Sequence, residues 1–401
     1  MNRLMRTALT ILLAGLTTLL AAALSTTASA ATLYVGPNGN DGRGNGEAQN
    51  RNTPFRTIQN AIDRSSNGDE IVVLDGTYNQ RVFVNRSGSG GGDFVLRSEN
   101  KEGARVLGAI QANDQSFITI DGFDVTNSGD SDQTKGIQLT RCDHVTVRNC
   151  RVRDCYGGGI GFDQSDWILC EWNITHNNAY FEQDQHSGIS VYQPQYRGND
   201  SRQYGVVIRN NTSFGNQNFV NNPNFGRPTD GNGIAVDDFK NQQPGGGQSY
   251  DRQALIENNL CFDNGGQGVH CYLSQNVRIR NNTCRNNMAS FDFGGEVSVS
   301  ESERVYVYNN ILVARPGRRA ALQFASQNFG FFFNVIDGPV LDVPFNGSNI
   351  YGPAGFEGGG FTLAADSPAV NSAFDAGDHF FLDVNGQNRF NGPLDRGANE
   401  R

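Results

Sequence analysis

The sequence predicts an all-β solenoid, one chain wound as a parallel β-helix. Three observations lead there. Of its 401 residues, 49 are Gly and 46 are Asn, far above ordinary usage, and both types favour turns over helices. A two-part repeat runs through residues 117–335. Its copies are too closely spaced for the other common repeated β fold. The hydrophobic content of 37 % and aromatic content of 10 % belong to a packed chain rather than a disordered one. No Gly-X-Y period is present, which excludes collagen. A net charge of −9 lacks the basic footprint of a nucleic-acid binder.

From the N-terminus, Arg3 and Arg6 precede an apolar run over residues 8–24, and Ala28-Ser29-Ala30 follows as a small-residue cleavage site. Residues 1–30 therefore read as a secretory signal peptide, with residues 31–401 as one exported domain, monomeric and free of the membrane once cleaved. Over residues 54–65, Phe55, Ile58, Ala61 and Ile62 fall on one helical face. That helix would cap the first coil of a solenoid, whose ends need covering. Residues 336–401 are the expected cap at the other end.

The repeat has two halves. The first is Gly-Ile-x-apolar, as in Gly136-Ile137-Gln138-Leu139, Gly159-Ile160-Gly161-Phe162, Gly188-Ile189-Ser190-Val191 and Gly233-Ile234-Ala235-Val236. The second is apolar-x-Asn-Asn, as in Ile208 to Asn211, Ile256 to Asn259, Ile279 to Asn282 and Val307 to Asn310. Successive Gly starts from Gly136 to Gly268 lie 23, 29, 45 and 35 residues apart. Short strands with period-2 alternation account for each half. A propeller blade needs about 40–45 residues, which the shorter units cannot supply. Stacked coils of two or three strands can, with the Asn side chains forming a ladder from coil to coil. Seven Cys with no CxxC pair make a zinc site improbable and packing the expected use.

Alternation also assigns sides. In Gly-Ile-x-apolar, the Ile and the apolar residue point inward, and x and the following residue point outward. One outward column then reads Gln138, Gly161, Ser190, Ala235, His270, Ser298, and the next Thr140, Asp163, Tyr192, Asp237, Tyr272, Ser300. Coils about 4.8 Å apart match the length of one sugar unit, so a linear polysaccharide could follow this face. His186, His270, Tyr192, Tyr272 and the pair Asp237-Asp238 gather there. Lys240 joins them, one of only three lysines in the chain. The insertions 193–204, 214–232 and 241–252 surround them, as long loops commonly surround a binding site. Arg197 and Arg227 lie on those loops and are candidates to pair with substrate carboxylates.

Two end segments and one central segment resemble known proteins. Leu33-Tyr34-Val35, Gly39-Asn40-Asp41 and residues 53–62, with Asp366-Ser367-Pro368-Ala369-Val370 and Asp395-Arg396-Gly397, resemble the ends of secreted right-handed parallel β-helix proteins. His186 to Tyr192 with Asp230-Gly231-Asn232-Gly233-Ile234-Ala235-Val236-Asp237-Asp238-Phe239-Lys240 resembles the β-helix polysaccharide lyases of the alginate-lyase type. The resemblance implies β-elimination on a uronate polymer, with Tyr192 and Lys240 as the catalytic pair.

The residues suit that chemistry. Elimination neutralises a uronate carboxylate, removes the C5 proton and protonates the leaving oxygen. Lys240, Tyr192, His186 and His270 are the catalytic candidates. Asp163, Asp237, Asp238, Tyr272, Arg197 and Arg227 are the substrate-binding ones. Two arrangements are open. A Ca²⁺ ion held by Asp237 and Asp238 would bind the carboxylate and leave Lys240 as base. Alternatively no metal binds, Lys240 neutralises the uronate, and Tyr192 or a His is the base. The thin oxygen-ligand set favours the second. The competing readings are a glycoside hydrolase of the polygalacturonase type, using Asp237 or Asp238 with Asp163, a uronate epimerase, and a non-catalytic carbohydrate-binding surface protein.

Overall fold

The computed structural model describes residues 30–127, 135–181, 186–290 and 293–401. The signal peptide expected at residues 1–30 falls outside them except for Ala30. Residues 31–401 form one compact unit.

The chain winds through three parallel sheets of 11, 10 and 11 strands, and every third strand pairs with its neighbour one coil on. A coil from the middle shows the pattern: Asp143–Arg148, Arg151–Arg153 and Ile160–Asp163, after which Asp166–Glu171 pairs with the first. The Gly-Ile-x-apolar half forms the four-residue strands. Ile137, Ile160, Ile189, Ile234 and Val269 stand in one register column and are fully buried. The apolar-x-Asn-Asn half ends the long strands and turns the corner into the three-residue strands.

The two Asn of that motif do different things. The first, at Asn210, Asn258, Asn281 and Asn309, takes φ of 53–57°, the left-handed region that Asn tolerates better than most residues. The second is buried and stacks. In the column Asn173, Asn211, Asn259, Asn282, Asn310, Asn334 and Asn349, each backbone N–H and each Nδ2 donates to Oδ1 of the next, at 2.8–3.2 Å. A second ladder, Asn178, Asn216, Asn264 and Asn287, stands at the next corner and ends on the Glu296 carboxyl. Cys150 and Cys155 precede these ladders, their backbone N–H groups donating to Asn173 and Asn178. All seven thiols are free and buried, small apolar fillings of the core.

The helix Ile58–Arg64, N-capped by the Thr57 hydroxyl, buries Ile58, Ala61 and Ile62 with Phe55 against the first coils. At the other end the expected cap is different in kind. Strands continue only to Ile350–Tyr351. The chain then folds back along the side of the helix, where the corner amides of Asn309, Asn281, Asn258 and Asn210 donate to carbonyls of Phe374, Asp395, Leu382 and Asp383. The segment is a strap over four coils rather than a lid on the last. Its deepest anchor is Arg280, fully buried, which bonds Glu257 at 3.0 Å and the Asp378 carboxylate at 2.5 Å.

Candidate active site

Three small residues shape the site. Gly161, Ser190 and Ala235 are register neighbours on the outward face of the four-residue strands, which leaves a trough where larger side chains would stand. The next coil fills that column with His270. A cavity of about 330 Å³ results. Asp230, from the 214–232 insertion, and Gln243, from the 241–252 insertion, form its walls. Asp166 holds two of the loops: its carboxylate accepts from the Tyr250 hydroxyl at 2.6 Å and from the Arg197 backbone N–H at 2.8 Å.

One end of the cavity is built around Lys135, which the sequence reasoning passed over. Its stem lies across the next coil, over Gly161, where a Cβ would come within 2.2 Å of Cδ. Only glycine leaves that path open. Nζ donates to both oxygens of Asp163, at 2.8 and 2.9 Å, and Gln138 adds a bond at 3.0 Å. Burial raises the Asp163 pKa, but the Lys135 charge and these bonds outweigh it, so the carboxyl stays ionised below its ordinary range. His186 sits beside the pair. Its Nδ1 accepts from the Gly158 backbone N–H at 3.2 Å; an amide can only donate, so this nitrogen carries a lone pair. Burial and the Lys135 charge push its pKa down to about 3.

The middle and far end carry protonated acids and a neutral base. Tyr192 stands in register between Asp163 and Asp237. Burial, then Asp237, Asp238 and Asp163, push its phenol up to about 12. Burial, then Asp230 and Asp238, push Asp237 up to about 8, against a 2.8 Å bond from Gln243. Burial raises Asp230 to about 7. His270 is lowered to about 4 by burial, and its Nδ1 lies 2.9 Å from the Ser298 hydroxyl.

The structure thus gathers Asp163, His186, Tyr192, Asp237 and His270 from the sequence candidates, and adds Lys135 and Asp230. It leaves out five. Lys240 does not line the cavity. The strand Ile234–Asp237 ends just before it, Asp238 turns the corner with φ 53°, and Nζ donates to the Glu301 carbonyl at 2.6 Å. Asp238 is buried in that corner, with both oxygens taken by N–H groups of Gln242, Gln243 and Gln193 at 2.7–2.9 Å. Tyr272 lies beyond His270, its ring 6.0 Å away and nearly parallel. Arg197 is spent on its loop, Nε donating to Gln164 O at 3.1 Å. Arg227 closes a small hairpin with Asn222 at 2.9 Å.

A Ca²⁺ ion at the Asp237-Asp238 pair does not fit these contacts, because Asp238 offers it no oxygen free of N–H donors. Among the described residues no group of three or more His, Cys, Asp or Glu is placed to hold a metal. Lys135 did have a sequence signal: it is a rare lysine directly before a Gly-Ile strand, one coil from Asp163.

Known proteins share this architecture. A stretch of Uncharacterized protein YwoF of Bacillus subtilis (strain 168) is 27 % identical over 139 residues, covering 30 % of this chain and 28 % of that one. Pectate lyase Pel9A superposes with a TM-score of 0.57 at 18 % identity, over 92 % of this chain and 96 % of that one. A glycoside hydrolase does so with a TM-score of 0.55 at 9 % identity, over 80 % and 96 %. At such identities the likeness is one of fold. The model of the right-handed β-helix region matches residues 47–317, and with three parallel sheets wound in that way the chain belongs to the right-handed β-helix family.

Proposed function

We propose that the protein is an exported lyase that cleaves an acidic polysaccharide, a uronate polymer, by β-elimination. One observation carries this reading. A single cavity brings together a histidine held unprotonated, a tyrosine and an aspartic acid held protonated, and a buried lysine pair. Elimination needs a proton acceptor and a proton donor in those states at one sugar.

The roles follow from the contacts. With Nδ1–H donated to Ser298, His270 keeps the Nε2 lone pair and takes the C5 proton. The C5–H electrons form the C4=C5 double bond as the C4–O bond breaks. Tyr192 gives its proton to the departing oxygen. Protonated Asp237 hydrogen-bonds the uronate carboxylate and lowers the charge that opposes C5 deprotonation. The Lys135–Asp163 pair fixes the near end of the site. His186 presents Nε2–H and acts as a donor to substrate hydroxyls rather than as the base.

A glycoside hydrolase is the second reading, and one observation favours it. Asp163 and Asp237 stand two coils apart, about 9.5 Å on ordinary strand spacing, within reach of the separation used by inverting enzymes, and one is ionised while the other is protonated. Against it, Lys135 and Gln138 already occupy the Asp163 oxygens that a base would need.

Incubation with alginate, polyglucuronate and pectate separates the two. The lyase yields ultraviolet absorbance from an unsaturated end; the hydrolase yields reducing ends without it. Absence of both kinds of product on every polymer would reject catalysis here.

The pH profile is a further expected outcome. His270 must be neutral, so kcat/KM falls as pH drops through about 4. Asp237 must keep its proton, so kcat/KM falls as pH rises through about 8. Asp237→Asn still donates a hydrogen bond and does not titrate. In the lyase it keeps activity within about tenfold and loses the alkaline limb. In the hydrolase, where Asp237 is the general acid, activity falls by about 10²–10⁴.

A further inference from the structure

A second cavity, of about 460 Å³, opens on the corner that leads from the three-residue strands into the strands of the site. Asp154, Asn177, Tyr180, Gly215, Gln217 and Phe219 line it. This corner is ordered like a strand. Gln217 N–H donates to Asn178 O at 3.1 Å, Phe219 N–H to Tyr180 O at 3.3 Å and Phe181 N–H to Tyr156 O at 3.2 Å. Tyr156 packs against Tyr180 at 5.0 Å and edge-on to Phe181 at 5.4 Å. On this fixed backbone the Phe219 ring is nonetheless 66 % exposed. A large ring held out to water on an ordered backbone is a marker of a binding surface.

The lining says what kind of ligand fits. No Lys or Arg lines the cavity, and its one carboxylate, Asp154, is paired with Arg153 at 2.8 Å. An anionic group finds no free cation there. Aromatic rings beside the amides of Asn177 and Gln217 match the two surfaces of a pyranose, its apolar C–H face and its hydroxyl rim. Gly215, with φ 61°, keeps the floor open; a Cβ would come within 2.8 Å of Asn177 Oδ1. The insertion that carries Phe219 also carries Asp230 of the first cavity.

From these contacts we infer that the Tyr180–Phe219 corner is a non-catalytic sugar-binding platform, which holds an uncharged pyranose face of the polysaccharide acted on at the first cavity. The inference rests on the reading of that cavity as polysaccharide-active. Its test keeps the two apart. The full chain, Phe219→Ser and the Tyr180→Ala/Phe219→Ser double variant are run on native gels containing alginate, polyglucuronate, pectate or a neutral xylan. Their kinetics are measured on polymer and on short oligosaccharides. The platform predicts retardation of the unaltered protein, weakened about tenfold in the double variant and less in Phe219→Ser. It also predicts a raised KM on polymer with unchanged kcat on oligosaccharides. Retardation by no polymer, or equal retardation of all three proteins, overturns it. Retardation lost in the variants of a protein that yields no product keeps the platform and removes the lyase. Product formed with an unchanged polymer KM does the reverse.

Discussion

Lys135→Ala is expected to cut turnover by about 10²–10³-fold, the usual cost of removing one charged group that organises a site, while Lys240→Ala stays within about twofold of the unaltered protein. The contrast comes from position. Lys135 reaches over Gly161 to both Asp163 oxygens inside the cavity, whereas Lys240 is fastened to a main-chain carbonyl outside it. Loss of Lys135 also leaves the Asp163 carboxylate buried without its cation, which destabilises the fold. The double variant Lys135→Met/Asp163→Asn removes both charges and is expected to regain thermal stability without regaining activity. Gly161→Ala is expected to resemble Lys135→Ala, because the added methyl occupies the path of the lysine stem. Steady-state rates of unsaturated product, with melting temperatures alongside, check all four. A Lys240→Ala variant as inactive as Lys135→Ala would return the catalytic role to Lys240.

Arg280→Ala is expected to cost about 3–5 kcal/mol, the range for breaking a buried ion pair by removing one partner. Glu257 would be left in the interior without its cation, and Asp378 would lose its hold on the strap. Burial already pushes the Glu257 pKa up, against the Arg280 charge. Arg280→Met with Glu257→Gln removes both buried charges and is expected to recover most of the loss. Denaturant unfolding measures the cost. Limited proteolysis gives the local readout: Arg280→Ala should release fragments cut between residues 352 and 401 while the coils stay intact. Coils and strap that resist protease equally in the two proteins would show that the strap is held elsewhere.

The coils were legible in the sequence because their information is local. Ile137, Ile160, Ile189 and Ile234 each follow a Gly, and they pair in the register that the repeat implies. The outward column of Asp163, Tyr192, Asp237 and Tyr272 was readable for the same reason, since strand alternation fixes the side of each residue. What lies past a strand end was not. Asp238 and Lys240 follow Asp237 by one and three residues, yet the corner sends them to backbone partners in the 241–243 segment and at Glu301. The scarcity of lysine was a sound clue attached to the wrong lysine. Lys135 enters the site by crossing onto the next coil through the space Gly161 leaves, and a side chain's neighbour on another coil is not written in the residues beside it. The strap escaped for a related reason. It returns across more than 170 residues to Asn210, and no periodicity signals such a contact.

The paired Asn ladders give the molecule an electrical sense. Every Nδ2–H in them points toward the C-terminal coils and every Oδ1 toward the N-terminal ones, so the amide dipoles align and strengthen one another. Such a row is polar end to end, like a stack of bar magnets laid head to tail. Its C-terminal end demands an acceptor, and in the second ladder Glu296 fills that place against Asn287. Coils can therefore be added or exchanged in the interior without rewiring. A sequence grafted beyond Asn287 must begin with an oxygen facing backward. Glu296→Ala, which offers none, would leave the last amide donor of that row buried and unanswered.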